Sequence, residues 1–553
     1  MSTAATLDEE ADGVAASGAR ASAPGVVRTW WPAAALVVVA GALSLPRIGK
    51  RTLWLDEAYT VGATNELLDT WRHTGVTQAL YYALVWPVSR VSTDPGWIRL
   101  PSALLGLAAV VVVFAVGRRL GGQRVAVLAA GGLALSWGLA RYSVEARSYT
   151  LALLLVSISW LALIAALQTD RPAADGTGDG DDDGAGDQGG AGDDASDGAD
   201  PARLWWRTFH VATALTPLAH GLATLNLIVQ LGALATMPGD RRAALRRALT
   251  VAPVVAVELA AMFLLGAADV GDWVPPLGMW QVHNFKQLFL GFRPTGFAVG
   301  ALLVVAIADV VVRYLRERSR EAWMQLLPVF WALGPALIVL LMSVARPYAA
   351  ARYVFPSLPA LYLLIAGLLV RYLVPTWRLA LAALLVVPLL VVDQKHVTTD
   401  GLEGWSELTA CIAANAQPGD RLLTAESHRS ALDYYWLDHP GLAKVAPLSP
   451  PEPLGQVRRL YEGTTPDYDA LLAAFFADTS HSIWFMDRLP EGRLGIVGLA
   501  FDSEVAARYD MVDAWYFAGD LTLTRLDPAG SGRPRGDAPC ATVPTPADML
   551  PPG

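Results

Sequence analysis

Long apolar runs, each roughly 15 to 25 residues, constrain this chain more than any other feature: Trp30 to Leu45, Trp97 to Gly117, Val125 to Leu139, Tyr149 to Leu167, Trp206 to Leu218, Leu222 to Met237, Leu249 to Leu265, Phe297 to Val312, Trp323 to Val344, Val354 to Val370 and Leu379 to Val392. A helix rises about 1.5 Å per residue, so runs of this length match a hydrocarbon core about 30 Å thick. Barrel strands would be shorter and would alternate. The sequence therefore predicts an α-helical polytopic membrane protein with about eleven transmembrane helices.

Composition agrees: of 553 residues, 54% are hydrophobic and only 17% charged, with a mean hydropathy of +0.37. The net charge of −9 is local, because Asp175 to Asp200 holds ten aspartates and no Lys or Arg, which leaves the rest near +1. Nothing in that balance points to nucleic acid. Cys411 and Cys540 make one bridge if both lie outside the cytoplasm, or stay two inert thiols.

Residues 1–28 read as a disordered cytoplasmic tail, since they are rich in Ala and Gly and have no apolar core. Residues 168–203 read as a disordered acidic cytoplasmic loop. Its Asp179, Asp181, Asp183 and Gly184 match the opening of an EF-hand loop, but position twelve is Gly190, so no calcium site is expected.

Arginines set the expected orientation. With the N-terminus cytoplasmic, the links after even-numbered spans carry "GRRLGGQR", "PGDRRAALRRA", "RYLRERSRE" and "RYLVPTWR", and the long acidic link has Arg171, Arg203 and Arg207 near its ends. Lys50, Arg51, Arg346 and Arg352 then fall outside, against the rule. The expected arrangement is a transmembrane domain over 29–395, an extracytoplasmic α/β domain over 396–527 and an irregular tail over 528–553, all in the cytoplasmic membrane. In the second domain "RLLTAE" and "SIWFMD" read as buried strands, "GWSELTACIAANA", "SALDYYWL" and "YDALLAAFFA" as helices, and "YFAGDLTLTRL" as an edge or final strand.

The same topology gathers unusual polar residues on the outer side. "LWLDEAYT" places Asp56 and Glu57 beside Trp54 and Tyr59, at the start of a segment to Trp71 that reads as one amphipathic interfacial helix over a pocket. "RYSVEARSYT" supplies Glu145, Arg147 and Tyr149; Glu145 and Arg147 either pair internally or join Asp56 in one cavity. His220 sits at a Pro217 and Gly221 break, as a helix-end residue or a functional one. In "ARPYAAARYVFPSLP", Arg346 and Arg352 suit an anionic lipid phosphate, although snorkelling also explains them. Lys286 offers another cation, and Trp54, Tyr59, Trp273 and Trp280 either stack on sugars or anchor the interface.

These segments, in this order, resemble the GT-C superfamily of polyprenyl-phosphate-sugar glycosyltransferases, nearest the branch of protein O-mannosyltransferases, lipid A aminoarabinose transferases and related actinobacterial enzymes. The resemblance covers roughly residues 29 to 395, and "LWLDEAYT" is its most specific motif. It implies Asp56 as catalytic base with Glu57 the second letter of the motif, and Glu145 as a second acid with Arg147 and Tyr149 as companions. Arg352 and Tyr353 match a phosphate-side "RY", His220 sits where several members have histidine, and Lys286 is a weaker match.

The chemistry would be inversion at the anomeric carbon as a hydroxyl displaces the lipid phosphate. Asp56 would take the proton, and Arg352, Arg346, Lys286 or His220 would face the leaving phosphate. The implied partners are a polyprenyl-phosphate-sugar donor, with mannose favoured, a glycan, glycolipid or protein acceptor, and the bilayer. No obligatory metal is expected between Asp56 and Glu145. A transporter or flippase, or an anchor for a glycan-binding domain, is the competing reading.

Overall fold

The computed structural model describes residues 23–74, 76–170, 200–265, 274–292, 295–376, 403–458, 468–488, 503–533 and 540. Most of the tail, the acidic insert, Trp273, the run Leu379 to Val392 and most of the C-terminal segment lie outside the described residues.

The membrane half is helical: α1 (Ala23–Ser44), α2 (Leu55–Asn65), α3 (Leu67–His73), α4 (Ala79–Ser89), α5 (Pro95–Leu135), α6 (Trp137–Ser143), α7 (Tyr149–Thr169), α8 (Pro201–Ala219), α9 (Leu225–Ala235), α10 (Arg241–Leu249), α11 (Ala252–Leu264), α12 (Met279–Leu290), α13 (Thr295–Glu317), α14 (Arg320–Met342) and α15 (Leu358–Tyr372). Among the described residues, six helices are long and apolar enough to cross a membrane, or seven if the bent pair α10 and α11 is one span. The expected eleven is a larger number because α5 counts once though it holds two runs, the run Leu379 to Val392 lies outside the described residues, and other runs are broken. Ser136 interrupts the third run, capping α6 by accepting the Leu139 N–H, and the sixth begins as a 3-10 turn, Gly221–Thr224.

α5 holds two of the expected runs. Residues nine apart in a straight helix lie about 13.5 Å apart along the axis. Yet a Cβ on Gly117 would stand 2.7 Å from the Ala126 Cα, so the chain doubles back at Gly122, whose φ is +77°. Two glycines make this hairpin possible: Gly122 by its left-handed backbone and Gly117 by its missing side chain.

α7 is the central helix, packed on α5 and α8, and its sequence is apolar all round, as burial on every side requires. Trp160 on α7 stacks on Trp331 of α14 with ring centroids 5.5 Å apart. Buried polar groups there find partners: the Trp160 indole donates to Asn226, Gln230 to Ser159 and Trp331 to the Pro356 carbonyl.

The arginine-bearing links meet at one end of the bundle. Arg119 bonds Gln168 at 3.0 Å, Arg320 the Leu167 carbonyl at 2.7 Å and Gln325 the Leu120 carbonyl at 2.8 Å, while Arg247 pairs with Asp170. Asp56, Glu57, Glu145 and Arg352 meet at other links, where the C-terminal domain sits. The two sets of links are segregated as the charge pattern requires.

The C-terminal domain has α16 (Trp405–Asn415), α17 (Glu426–Trp436), α18 (Tyr468–Phe476), α19 (Ser503–Arg508) and strands β1 (Arg421–Thr424), β2 (Ala446–Ser449), β3 (Ile483–Arg488), β4 (Tyr509–Phe517) and β5 (Leu521–Pro528). The sheet order is β2-β1-β3-β5-β4; β1 runs parallel to β2 and β3, and β5 antiparallel to β3 and β4. The stretch "YFAGDLTLTRL" is thus the end of the edge strand β4, a turn and β5, which is the last strand among the described residues and lies inside the sheet. Its alternation reflects one face of the sheet being more deeply buried than the other over Leu521 to Thr524, and Trp484 and Trp515 on the strands beside it stack at 5.8 Å. Cys411 and Cys540 are joined in a disulfide that ties α16 to the end of the chain.

Candidate active site

The acidic pair opens α2, where carboxylates favour the exposed N–H groups of the first turn. Successive helical residues project about 100° apart, so neighbours in sequence face different surroundings. Glu57 turns inward and is fully buried, whereas the Asp56 side chain keeps 18% of its surface exposed.

Glu57 is a structural hub. Its Oε2 accepts from the Trp54 N–H at 3.3 Å, closing the helix start, and its Oε1 accepts from the Ala146 N–H at 2.7 Å. Arg99, at the start of α5, grips both oxygens at 2.7 and 2.6 Å and also donates to the carbonyls of Ile48, Arg51 and Thr52. One buried ion pair therefore fixes the 48–52 loop, α2 and the 145–147 turn against one another.

Asp56 faces two guanidiniums. Its Oδ2 lies 3.2 Å from Arg352 Nη1 and 3.9 Å from Arg147 Nη2, and its backbone carbonyl accepts from Arg147 Nη1 at 3.0 Å. Arg352 comes from a 3-10 turn, Ala351–Ser357, so the side chains meeting here are separated by 296 residues. Arg147 does join Asp56, but Glu145 does not pair with Arg147: it is buried and stands 2.5 Å from Arg141, one helical turn back. Burial pushes the Glu145 carboxyl up, against the pull of Arg141.

His220 lies between two tyrosine rings, 5.9 Å from Tyr149 and 5.2 Å from Tyr353. Burial, then the charges of Arg147 and Arg352, push it down to about 3, so it is a neutral ring. Arg346 lies in the turn after α14, its N–H bonded to the Met342 carbonyl, and is not among the cations on the Asp56 carboxylate; Lys286, half-buried on α12, is not either, although α12 packs against the Arg352 turn. Trp280 is exposed.

The expected single interfacial helix to Trp71 is also corrected. The chain breaks at Glu66, and α2 is mostly buried because α4 packs on it from the membrane half and α17 from the C-terminal domain. Sequence reasoning missed Arg99, Arg141 and Arg51. Arg141 had a local signal in its i,i+4 spacing to Glu145, and Arg51 one in its outward place against the charge rule; Arg99 had neither.

Taken together, Arg51, Arg99, Arg141, Arg147 and Arg352 are electrostatically coupled to Asp56, Glu57 and Glu145, a surplus of two positive charges in a largely buried cluster. Among the described residues, Arg147 Nε, Ser148 Oγ and His220 Nδ1 are buried without a hydrogen-bond partner. Among them, too, no three His, Cys, Asp or Glu side chains converge as a metal site would need. Cavities of about 200 and 650 Å³ lie elsewhere, lined by residues such as Leu120 and Arg371 or Asp309 and Arg316. Both lie away from Asp56; the second is lined by Asp309 and Tyr372, which are hydrogen-bonded to each other, among mostly apolar side chains.

No family model matches the sequence, and no curated protein matches it. The architecture does have counterparts, and it is the GT-C fold. The chain is similar to ArnT from Cupriavidus metallidurans in the apo state (TM-score 0.56, 16% identity, covering 90% of this chain and 98% of that one). Bound to undecaprenyl phosphate, the same protein gives TM-score 0.53 at 15% identity over 93% and 100% of the two chains. The archaeal oligosaccharyltransferase AglB from Archaeoglobus fulgidus, in complex with an inhibitory peptide and a dolichol-phosphate, gives TM-score 0.50 at 10% identity over 92% and 75%.

Proposed function

We propose that this chain is an inverting glycosyltransferase that moves a sugar, mannose in the first instance, from a polyprenyl-phosphate donor to a hydroxyl of a glycan, glycolipid or protein on the outer face of the cytoplasmic membrane. The observation that carries the reading is Asp56 held against Arg352 and Arg147 within a cluster that has two positive charges in excess. A sugar phosphodiester carries one negative charge and the released lipid phosphate two at full ionisation, so the surplus grows more useful as the bond breaks. That one relative is bound to undecaprenyl phosphate and another to a dolichol-phosphate supports the donor class. The disulfide supports the outer face, since such bridges persist in oxidising compartments.

In the reaction the acceptor oxygen bonds to the anomeric carbon as the bond to the phosphate oxygen breaks with its electron pair. The acceptor proton goes to Asp56. Its Oδ2 faces the guanidiniums, while Oδ1 has no hydrogen-bond partner among the described residues and is the atom that takes the proton. Arg352 and Arg147 hold the phosphate through donors not used on Asp56, since a guanidinium carries five. Neutral His220 and Tyr149 line the same cluster, and Glu145 stays with Arg141 as a positioning group.

The test is Asp56→Asn in the full chain, expressed in cells deleted for it, with glycans and glycolipids read by mass spectrometry. The reading expects the missing product to stay missing, a loss of about 10²-fold or more with the chain still folded. Full product from Asp56→Asn removes Asp56 as the base. The reading needs no obligatory metal, so EDTA leaves transfer intact; loss restored by Mg²⁺ or Mn²⁺ overturns that part.

A further inference from the structure

The helix that carries Asp56 has a cap that does not come from its own neighbourhood. Leu55 is the first residue of α2, and its N–H is one of those a helix cannot satisfy internally. It donates to Glu403 Oε2 at 2.9 Å, across 348 residues of sequence. Glu403 is buried and held on both oxygens, for the Trp405 indole donates to Oε2 at 2.6 Å and Arg488, at the end of β3, to Oε1 at 2.7 Å. The turn between β4 and β5 closes over it, since a Cβ on Gly519 would stand 2.7 Å from Glu403 Cγ.

Two further side chains reach the same helix start. The Tyr435 hydroxyl, on α17, accepts from the Leu53 N–H at 2.5 Å and donates to the Leu53 carbonyl at 3.2 Å. The Tyr59 hydroxyl donates to the Ser427 carbonyl. Asp56 is therefore bracketed at positions 53, 55 and 59 by one domain, while from the other Arg147 bonds its backbone carbonyl and Arg99 the adjacent Glu57 carboxylate.

We propose that Glu403, with Tyr435, is a positioning residue for the reaction: the C-terminal domain caps α2 from across the domain boundary and so sets where the Asp56 carboxylate stands. The inference rests on Asp56 being the base. It assigns the domain a part in the chemistry even though it supplies no reacting atom. A small displacement of a catalytic group costs far more in rate than the loss of one helix cap costs in stability.

The experiment uses the full chain in lipid nanodiscs and in the deleted cells, comparing wild type with Glu403→Ala, Glu403→Gln, Tyr435→Phe and Asp56→Asn. Three quantities are read: hydrogen exchange over residues 53–58, binding of undecaprenyl phosphate, and product glycan per folded chain. Glu403→Ala is expected to speed exchange and lower product each by about tenfold while leaving lipid binding within about twofold. Glu403→Gln keeps an oxygen for Leu55 and Trp405, and it restores both exchange protection and most of the product. Should Glu403→Ala fail to fold, Tyr435→Phe, which removes one hydroxyl and keeps the packing, is expected to raise exchange at Leu53 and lower product in the same way. Wild-type exchange and product in Glu403→Ala or Tyr435→Phe, beside a dead Asp56→Asn, overturn the positioning role alone. Full product from Asp56→Asn overturns the function on which it rests, whatever the exchange shows.

Discussion

Replacing Arg99 by Met tests whether the Glu57 pair is what holds the site together. The substitution removes five hydrogen bonds, two to the Glu57 carboxylate and three to the carbonyls of Ile48, Arg51 and Thr52. Glu57, with no exposed surface, is left with the Ala146 and Trp54 N–H groups as its remaining donors. Breaking a buried pair from one side costs about 3–5 kcal/mol, because the surviving charge is stranded. Glu57→Gln alone strands Arg99 similarly, whereas the double variant Arg99→Met with Glu57→Gln strands neither. A double-mutant cycle should therefore return a coupling of about 2–3 kcal/mol. The assay is thermal unfolding of the full chain in nanodiscs with hydrogen exchange over residues 48–58 as the local reading. If Arg99→Met melts and exchanges like wild type, or if the losses simply add, the pair is not the hub.

Three other outcomes are expected. Arg352→Lys keeps the charge but loses the planar fork, and should weaken undecaprenyl phosphate binding by about tenfold in a titration; unchanged binding places the phosphate elsewhere. His428 is 3% exposed, and burial together with the charge of Arg488 pushes it down to about 4. Unfolded, it titrates near about 6.5, so between these values the unfolded chain holds the extra proton. Stability from this group is complete above about pH 6.5 and lost as the pH falls toward 4, by at most about 3 kcal/mol. His428→Gln should flatten the melting temperature of the full chain across that window, and an equal acid slope in both proteins refutes it. Replacing Cys411 and Cys540 by Ser opens a loop of 129 residues and should cost about 2–5 kcal/mol, read as a lower melting temperature that reductant does not lower further.

Legibility in the sequence differs from residue to residue. The apolar runs predict helices because burial in lipid leaves the backbone no other solution, and α7, α13 and α14 follow their runs closely. Asp56 is legible because two acids among aromatic residues at a span's edge are costly without a purpose. Arg99 is not. Flanked by Ile98 and Leu100, it looks like a snorkelling residue, and its partner lies 42 residues away with nothing local to announce it. Glu145 misleads for the opposite reason: Arg147 is nearer in sequence, but the turn after α6 brings Glu145 back onto Arg141, four residues earlier in that helix. Sequence periodicity says nothing about Glu403 either, since its partner belongs to the other domain.

The bond between Leu53 and Tyr435 spans 382 residues. The motif that carries Asp56 is thus synthesised well before the helix that completes it, and takes its final form only after that helix has folded. Loop closure over that distance waits for the sheet and α17 to fold, so the helix start must remain unfinished while most of the polypeptide is still being made. A chain stalled after its membrane helices would present every arginine of the cluster but not a settled base.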